Sequence, residues 1–225
     1  IIKPANAIKL KRFDFSMREK NSYREEILKR HDIPVTANVI GCLGRISEEK
    51  GQQILIEAFP KYLRKLSREK VQNTYLLIVG GGPLQDLINH KTHQLQLEDN
   101  VVITGRFADE DKVKYYAAFD YFVHPSLAEG FGLVLIEAMA SKIPVVASNL
   151  EVFKEVSGES VVYFKRGNAV DLAEKLYQIT ETGQAESKVE QAYKRVENNY
   201  TFEKFVHVYE QFYLELLNKL NKIAK

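Results

Sequence analysis

The 225-residue chain holds a single cysteine, Cys42. One thiol rules out an internal disulfide framework and a cysteine-cluster metal site. Cys42 lies in an apolar run, which reads as a buried, inert thiol. No apolar stretch approaches the roughly 20 residues needed to span a bilayer, and no signal-peptide hydrophobic region opens the chain. An excess of one charge is also missing: the formal net charge is +2, so the whole molecule is not a nucleic-acid-binding polycation. Glycine and proline are few, 12 and 6, and no repeat or low-complexity segment is present. The five histidines show no metal-ligand spacing. An initiator methionine is absent too. The chain begins Ile1-Ile2-Lys3, which reads as a processed chain or, in preference, as a piece excised from something longer.

What is present is an ordinary globular composition, 45% hydrophobic and 28% charged, long enough to bury a substantial core. Residues 1–36 carry nine Lys and Arg against five acids. They read as a solvated connector followed by a helix over about 22–31, or alternatively as a basic face near an anionic membrane or acceptor. Short apolar runs then alternate with helical patterns. Strands are expected at 37–43, 75–79, 101–104, 120–124, 144–147 and 161–164. Helices are expected over 50–70, where Pro60 should kink or split the helix, and over 83–95 and 109–119. From Asn168 the chain reads as helical, over 169–180, 186–196 and 202–223. The last segment carries an apolar stripe of Phe205, Val208, Tyr209, Phe212, Leu216 and Leu220, expected to pack into the core before serving as a partner-binding face. This rhythm indicates an α/β, Rossmann-like parallel sheet with helices on both faces, ending in a long C-terminal helix. In such sheets ligands sit outside the carboxyl ends of the strands, where the glycines of this chain cluster.

The stretch from Phe122 to Ala140, F-V-H-P-S-L-A-E-G-F-G-L-V-L-I-E-A-M-A, organises that edge. It reads as a buried strand, a glycine-rich turn and an apolar helix, with Glu129 and Glu137 bracketing the turn and helix. Unpaired N–H groups and the helix dipole at such a start favour a phosphate. Eight residues would span about 12 Å if all were helical, the reach from a sugar to the ribose of a nucleotide sugar.

Five motifs follow in order: G-R-I-S-E-E-K-G (44–51), L-I-V-G-G-G-P (77–83), V-V-I-T-G-R-F (101–107), H-P-S-L-A-E-G-F-G-L-V-L-I-E-A-M-A (124–140) and I-P-V-V-A-S (143–148). Each alone is weak. Together, at this spacing, they resemble the C-terminal, donor-binding domain of GT-B fold, family 4 retaining glycosyltransferases, over about residues 1–215. The opening I-K-P-A-N-A-I-K-L-K-R-F resembles that family's interdomain connector, with Ala5 and Ala7 departing from its pattern. The resemblance implies that residues 1–20 are a connector remnant and 21–225 the donor-binding domain. The acceptor-binding N-terminal domain would then be missing.

The resemblance also implies roles. Arg45 and Lys50 match the pyrophosphate-binding pair, a planar fork and a mobile point charge; taken alone they would be two surface cations. Glu129 matches the sugar-contacting carboxylate and forms the catalytic set with Arg45 and Lys50. Glu137 would accept hydrogen bonds from the ribose hydroxyls; its plain reading is an exposed helix acid. Gly44, Gly81, Gly82, Gly130, Phe131, Gly132, Leu133 and Val134 complete the expected donor contacts. Arg106 and Phe107 are candidates for touching the base. Ser126 reads equally as a phosphate-side hydroxyl or a turn cap, and His124 as a strand-end or core histidine before a catalyst. No metal or cofactor is implied, side-chain cations standing in for a divalent ion. One departure touches the loop beside the sugar: after 143–148 the run is N-L-E-V-F-K-E where the family often has a glycine pair.

The expected function is hexosyl transfer from a nucleotide sugar, UDP-linked first and GDP-linked second. The acceptor would be a glycan or glycolipid in surface polysaccharide synthesis. The setting would be cytoplasmic, at the inner face of the membrane where a lipid-linked acceptor demands it, with no nucleic-acid partner. This fragment alone should be inactive. A non-catalytic nucleotide- or sugar-binding regulatory module of the same fold is the alternative. A dinucleotide-binding dehydrogenase is disfavoured, since no G-x-G-x-x-G follows the first strand.

Overall fold

The computed structural model describes residues 6–183 and 186–223. Among these, six strands form one sheet: β1 (Asn38–Leu43), β2 (Thr74–Val79), β3 (Val101–Ile103), β4 (Tyr121–His124), β5 (Val145–Ser148) and β6 (Val162–Phe164). Their order is β3-β2-β1-β4-β5-β6 and every pairing is parallel. The direction of winding reverses between β1 and β4. The loops leaving those two strands therefore part at the carboxyl edge, which is where such sheets bind ligands.

The helices are α1 (Met17–Arg30), α2 (Gln52–Leu63), α3 (Arg68–Gln72), α4 (Gln85–Gln94), α5 (Lys112–Ala118), α6 (Leu133–Ala140), α7 (Glu151–Ser157), α8 (Ala169–Thr182), α9 (Glu186–Asn199) and α10 (Phe202–Ile223). Successive strand side chains point to opposite faces, so each strand feeds two cores. Val39, Leu43, Leu77, Val79, Phe122 and Val145 pack with α1, α5, α6, α7 and α9. Ile40, Cys42, Leu76, Ile78, Val123 and Val146 pack with α2, α4 and α8. Burial on both faces is why the strands read as unbroken apolar runs. Cys42 is buried as expected, and burial pushes its thiol up to about 12.

Three expectations need correction. The first helix begins at Met17, five residues earlier than its periodicity indicated, because Ser16 and Glu19 form a capping box. The Ser16 hydroxyl accepts from the Glu19 N–H (3.2 Å), and Glu19 Oε2 accepts from the Ser16 N–H (2.9 Å). The S-x-x-E signature was there to be read. Pro60 does not split its helix: α2 runs through it to Leu63, and the expected helix over 50–70 breaks instead at 64–67. There Ser67 caps a new helix by accepting from the Lys70 N–H.

The third concerns α10. Phe205 and Tyr209 are half-buried, but Val208, Phe212 and Leu216 are exposed, and α10 packs extensively against no other element. Among the described residues, the part of its apolar stripe from Phe212 onward finds little to pack on. Leu220 lies outside the residues whose side chains are described, as Pro4 and Ala5 of the connector lie outside the described residues altogether.

The basic N-terminal segment is partly neutralised within the chain. Arg24 bonds the Ala118 carbonyl (2.7 Å) and Asp120 (3.1 Å), Lys29 pairs with Glu25, and Arg30 with Glu26 and Asp111. Among the described residues no helix is long and apolar enough to cross a membrane.

Candidate functional site

The site is built from the loops that leave β1 and β4. After β1 the chain turns through Gly44, Arg45 and Ile46 into a short 3-10 turn, Glu48–Lys50, and reverses at Gly51. Gly51 has φ +68°, and a Cβ there would lie 2.2 Å from the Pro125 carbonyl oxygen. Only glycine lets the first loop close this far onto the loop after β4. The contact is sealed by the Glu49 carbonyl, which accepts from the N–H groups of Leu127 (2.8 Å) and Ala128 (3.2 Å).

That clip brings Lys50 to Glu129, with Nζ 2.6 Å from Oε2. His124 approaches the same oxygen from below, Nε2 at 3.5 Å, while the Gly130 N–H donates to Oε1 at 3.2 Å. Burial alone would raise the Glu129 carboxyl. The hydrogen bonds from His124 and Lys50 and the Lys50 charge outweigh it and hold the group at about 2. His124 is lowered as well, but by burial and against the opposing pull of Glu129, so it is held neutral where Glu129 is held charged.

A cavity of about 590 Å³ opens over this pair, lined by Asn6, Lys50, Glu129 and residues 130–134. Gly132 caps α6 in the left-handed region (φ +94°) without a side-chain bond, so the first N–H groups of the helix have no intrahelical partner. A Cβ built at Gly130 would meet nothing within 4 Å, so no packing among the described residues accounts for that glycine. Beside it lies a second cavity of about 630 Å³, lined by Arg45, Gly81, Gly82, Pro83, Gln85 and Arg106. The loop after β2 shapes it by backbone pairing: Ile46 N–H to Gly81 O (3.1 Å) and Leu84 N–H to Ile46 O (3.2 Å). Arg45 is exposed and makes no ion pair among the described residues.

The expected residues thus divide. Arg45, Lys50, Gly81, Gly82, Arg106, Glu129 and 130–134 line the two cavities, whereas Gly44, Phe107, Ser126 and Glu137 line neither. The Phe107 ring packs on the edge of Tyr115 (5.5 Å). Ser126 is fully buried, its Oγ without a partner among the described residues. Glu137 is not the exposed helix acid of its plain reading: it is 7% exposed. Tyr116 OH lies 2.9 Å from Oε2, and Lys112 Nζ lies 3.2 Å from Oε1. Since α6 begins at Leu133, only half of the path from Glu129 to Glu137 is helical, and the 12 Å span falls with that assumption.

Four residues near the site were not singled out in the sequence. Asn6 stood only within the connector motif, and Gln85 had no cue beyond following the glycine loop. Tyr116 and Lys112 had none. In the segment after β5 that departs from the family's pattern, Phe153 packs on the His124 ring (4.7 Å) and against the position of a Gly132 Cβ (2.9 Å).

The expectation of a metal-free site overlooks one Asp-x-Asp triplet, Asp109-Glu110-Asp111. Its aspartates are engaged by cations, Asp109 by Arg12 and Lys112 and Asp111 by Arg30 and Lys114. Among the described residues no group of three or more His, Cys, Asp or Glu side chains is placed to hold a metal. The buried side-chain polar atoms without a partner among the described residues are Ser47 Oγ, Gln52 Oε1, His124 Nδ1, Ser126 Oγ and Ser148 Oγ. All lie at the carboxyl edge of β1, β4 and β5. Buried polar groups usually find partners, so their gathering here marks this edge as the part of the molecule not built for its own packing.

Sheet order, glycine-lined edge and terminal helix together give a Rossmann-like fold of the GT-B kind. The profile of the family described as "Glycosyl transferases group 1" matches residues 23–196, and the chain belongs to that family. It is 32% identical over 155 residues to a GDP-mannose-dependent alpha-(1-6)-phosphatidylinositol monomannoside mannosyltransferase of Mycobacterium tuberculosis, covering 66% of this chain and 38% of the relative. It is 30% identical over 201 residues to the capsular polysaccharide biosynthesis glycosyltransferase CapM of Staphylococcus aureus, covering 88% and 50%. The solved structure of Anabaena Alr3699/HepE in complex with UDP and glucose matches with a TM-score of 0.76 at 24% identity, over 94% of this chain and 55% of that one. This last likeness concerns the fold. The chain spans half or less of the length of these two curated relatives.

Proposed function

We propose that this chain is the donor-binding half of a retaining glycosyltransferase, taking a nucleoside diphosphate hexose and presenting its sugar to a glycan or glycolipid acceptor in surface polysaccharide synthesis. The Lys50–Glu129 pair carries the reading. It joins a phosphate-seeking cation to a charged carboxylate at the crossover of the sheet, beneath an open glycine cradle.

In this reading the diphosphate lies between Arg45, Lys50 and the N–H groups that open α6. Charge building up on the leaving group is met there by fixed donors, usually the largest catalytic contribution. Glu129 bonds the sugar hydroxyls and offsets positive charge at the anomeric carbon. The bond from that carbon to the phosphate oxygen breaks, and the acceptor oxygen bonds it on the same face. The departing phosphate takes the acceptor proton. Glu137 serves the ribose, and Arg106 with the 81–85 loop serves the base, with side-chain cations in place of a divalent metal. Residues 1–20 act as connector, and acceptor choice resides in a domain beyond this chain. With one wall of the cleft missing, effective molarity is lost and the isolated chain turns over poorly. The working place is the cytoplasm, at the inner face of the membrane for a lipid-linked acceptor.

The relatives divide between nucleotides, one being GDP-mannose-dependent and another crystallised with UDP. A thermal-shift series with UDP, GDP and ADP therefore tests the reading. One diphosphate at a hundred times its Kd should stabilise the chain by about 2.7 kcal/mol. Arg45→Ala or Lys50→Ala should weaken its binding by about tenfold or more, the worth of a hydrogen bond to a charged group. The reading falls if no diphosphate raises Tm.

A further inference from the structure

The role given to Glu129 leaves one neighbour unexplained. His124 ends β4, is 4% exposed, and is held by Phe153 and by Phe122 (centroids 4.7 and 6.1 Å). It cannot turn to solvent. Its two ring nitrogens meet opposite surroundings. Nε2 faces Glu129 Oε2 at 3.5 Å, whereas Nδ1 is buried without a partner among the described residues.

We propose that His124 is a positioning residue for the sugar-end carboxylate: its Nε2–H holds Glu129 Oε2 from the core side, so that Lys50 is free to move to phosphate. The proposal rests on the reading of Glu129 as the sugar contact. Of the three protonation forms of the ring, two bury an unpaired N–H at Nδ1. One of those also turns the Nε2 lone pair on the carboxylate. The third, neutral with its proton on Nε2, leaves only an unpaired acceptor and gives Glu129 a donor. An orphaned buried acceptor is tolerated more readily than an orphaned N–H, so the surroundings select the third form. The same form removes His124 as a general base, because its only lone pair points into the core.

The division of labour follows from mobility. Lys50 reaches Oε2 at 2.6 Å on a flexible stem and is 26% exposed, so an arriving diphosphate can draw it away. The imidazole, packed on both sides, cannot follow. Glu129 then keeps one donor on Oε2 and its Gly130 N–H on Oε1, staying charged and aimed while Lys50 serves the leaving group. The 3.5 Å approach is long for a hydrogen bond; contacts of this kind commonly tighten when substrate is bound.

Three measurements on this chain test the proposal. Nitrogen NMR of the native ring should show a protonated Nε2 and a bare Nδ1; a protonated Nδ1 overturns it. The Glu129 carboxyl, followed by carbon NMR, should titrate well above its native value of about 2 in His124→Phe, which fills the space without a donor. It should return towards that value in His124→Gln, whose amide restores one. An unmoved carboxyl in His124→Phe, or a Gln variant that behaves like Phe, overturns the proposal. Calorimetry with UDP against UDP-glucose, and GDP against GDP-mannose, should then show His124→Phe losing about tenfold for the sugar-bearing ligand. Binding of the bare diphosphate should change less than twofold, and Gln should rescue the loss. Equal loss for both ligands indicates a merely structural histidine and overturns it. If neither these four ligands nor ADP binds the native chain, the donor reading fails, while ring tautomer and carboxyl titration still decide whether His124 positions Glu129.

Discussion

Glu129 and Glu137 bracket the same turn and helix, yet they are held by opposite means. Glu129 is gripped by Lys50 across a contact between two loops, with unpartnered buried atoms around it. Glu137 is gripped by Tyr116 and Lys112 from α5, inside the packed body of the domain. Tyr116 is itself enclosed by Phe13, Phe119 and Phe122. Burial and the neighbouring carboxylate push its hydroxyl well above its ordinary value, so it stays a donor at any physiological pH. One acid is set in advance by the core. The other is set by a partner that a ligand can take away. On the proposed reading, a site that holds a nucleotide steadily while a sugar bond breaks beside it has use for both.

Substitutions can break this contrast, and they rank by how much of each grip is buried. Glu137→Ala should cost most, about 3 kcal/mol in urea unfolding, since it removes two hydrogen bonds to a buried carboxylate and leaves Tyr116 the Val134 carbonyl (3.2 Å) and Lys112 the Asp109 carboxylate (3.3 Å); a cost under 1 kcal/mol would mean that the grip is dispensable. Glu129 supplies the acid limb. Its folded value, about 2, lies below its ordinary 4.5. Its contribution is thus complete above pH 4.5 and is lost as pH falls towards 2, because the unfolded chain then takes up a proton the native one refuses. Glu129→Gln should remove up to about 3 kcal/mol of that pH dependence, read as flatter unfolding midpoints between pH 4.5 and 2. His124 acts in the same direction at higher pH: held neutral by burial, it subtracts stability as pH drops below its ordinary 6.5. Gly51→Ala should cost about 2 kcal/mol through its positive φ and should weaken diphosphate binding as Lys50 is displaced. Tyr116→Phe should cost least, about 1 kcal/mol, with nucleotide binding weakened more than stability.

Much of the fold was legible because physics repeats itself along the chain. Strands buried on two faces have to be apolar throughout, and glycines have to gather where loops touch backbone to backbone. α10 was misread for an instructive reason. Amphipathic spacing says that Phe212 and Leu216 belong against something, but not that the something lies in this chain. Tyr116 and Glu137 are 21 residues apart on separate helices, and no spacing rule connects them. Lys50 and Glu129 are 79 apart and were linked only through a resemblance of motifs. Ser16 and Glu19 carried a local signature that outweighed the charge pattern around them. Asp109-Glu110-Asp111 carried one too, and the surrounding cations gave it a different use.

The Glu49 carbonyl that accepts from both Leu127 and Ala128 has a consequence for how such a protein can change. The two loops are one structural unit. Grafting either from a relative with a different length or register would leave two N–H groups without their acceptor and would pull Lys50 from Glu129 in the same stroke. Donor preference in this chain should therefore be exchanged in matched pairs of loops, and a single-loop chimaera should be poorer than either parent.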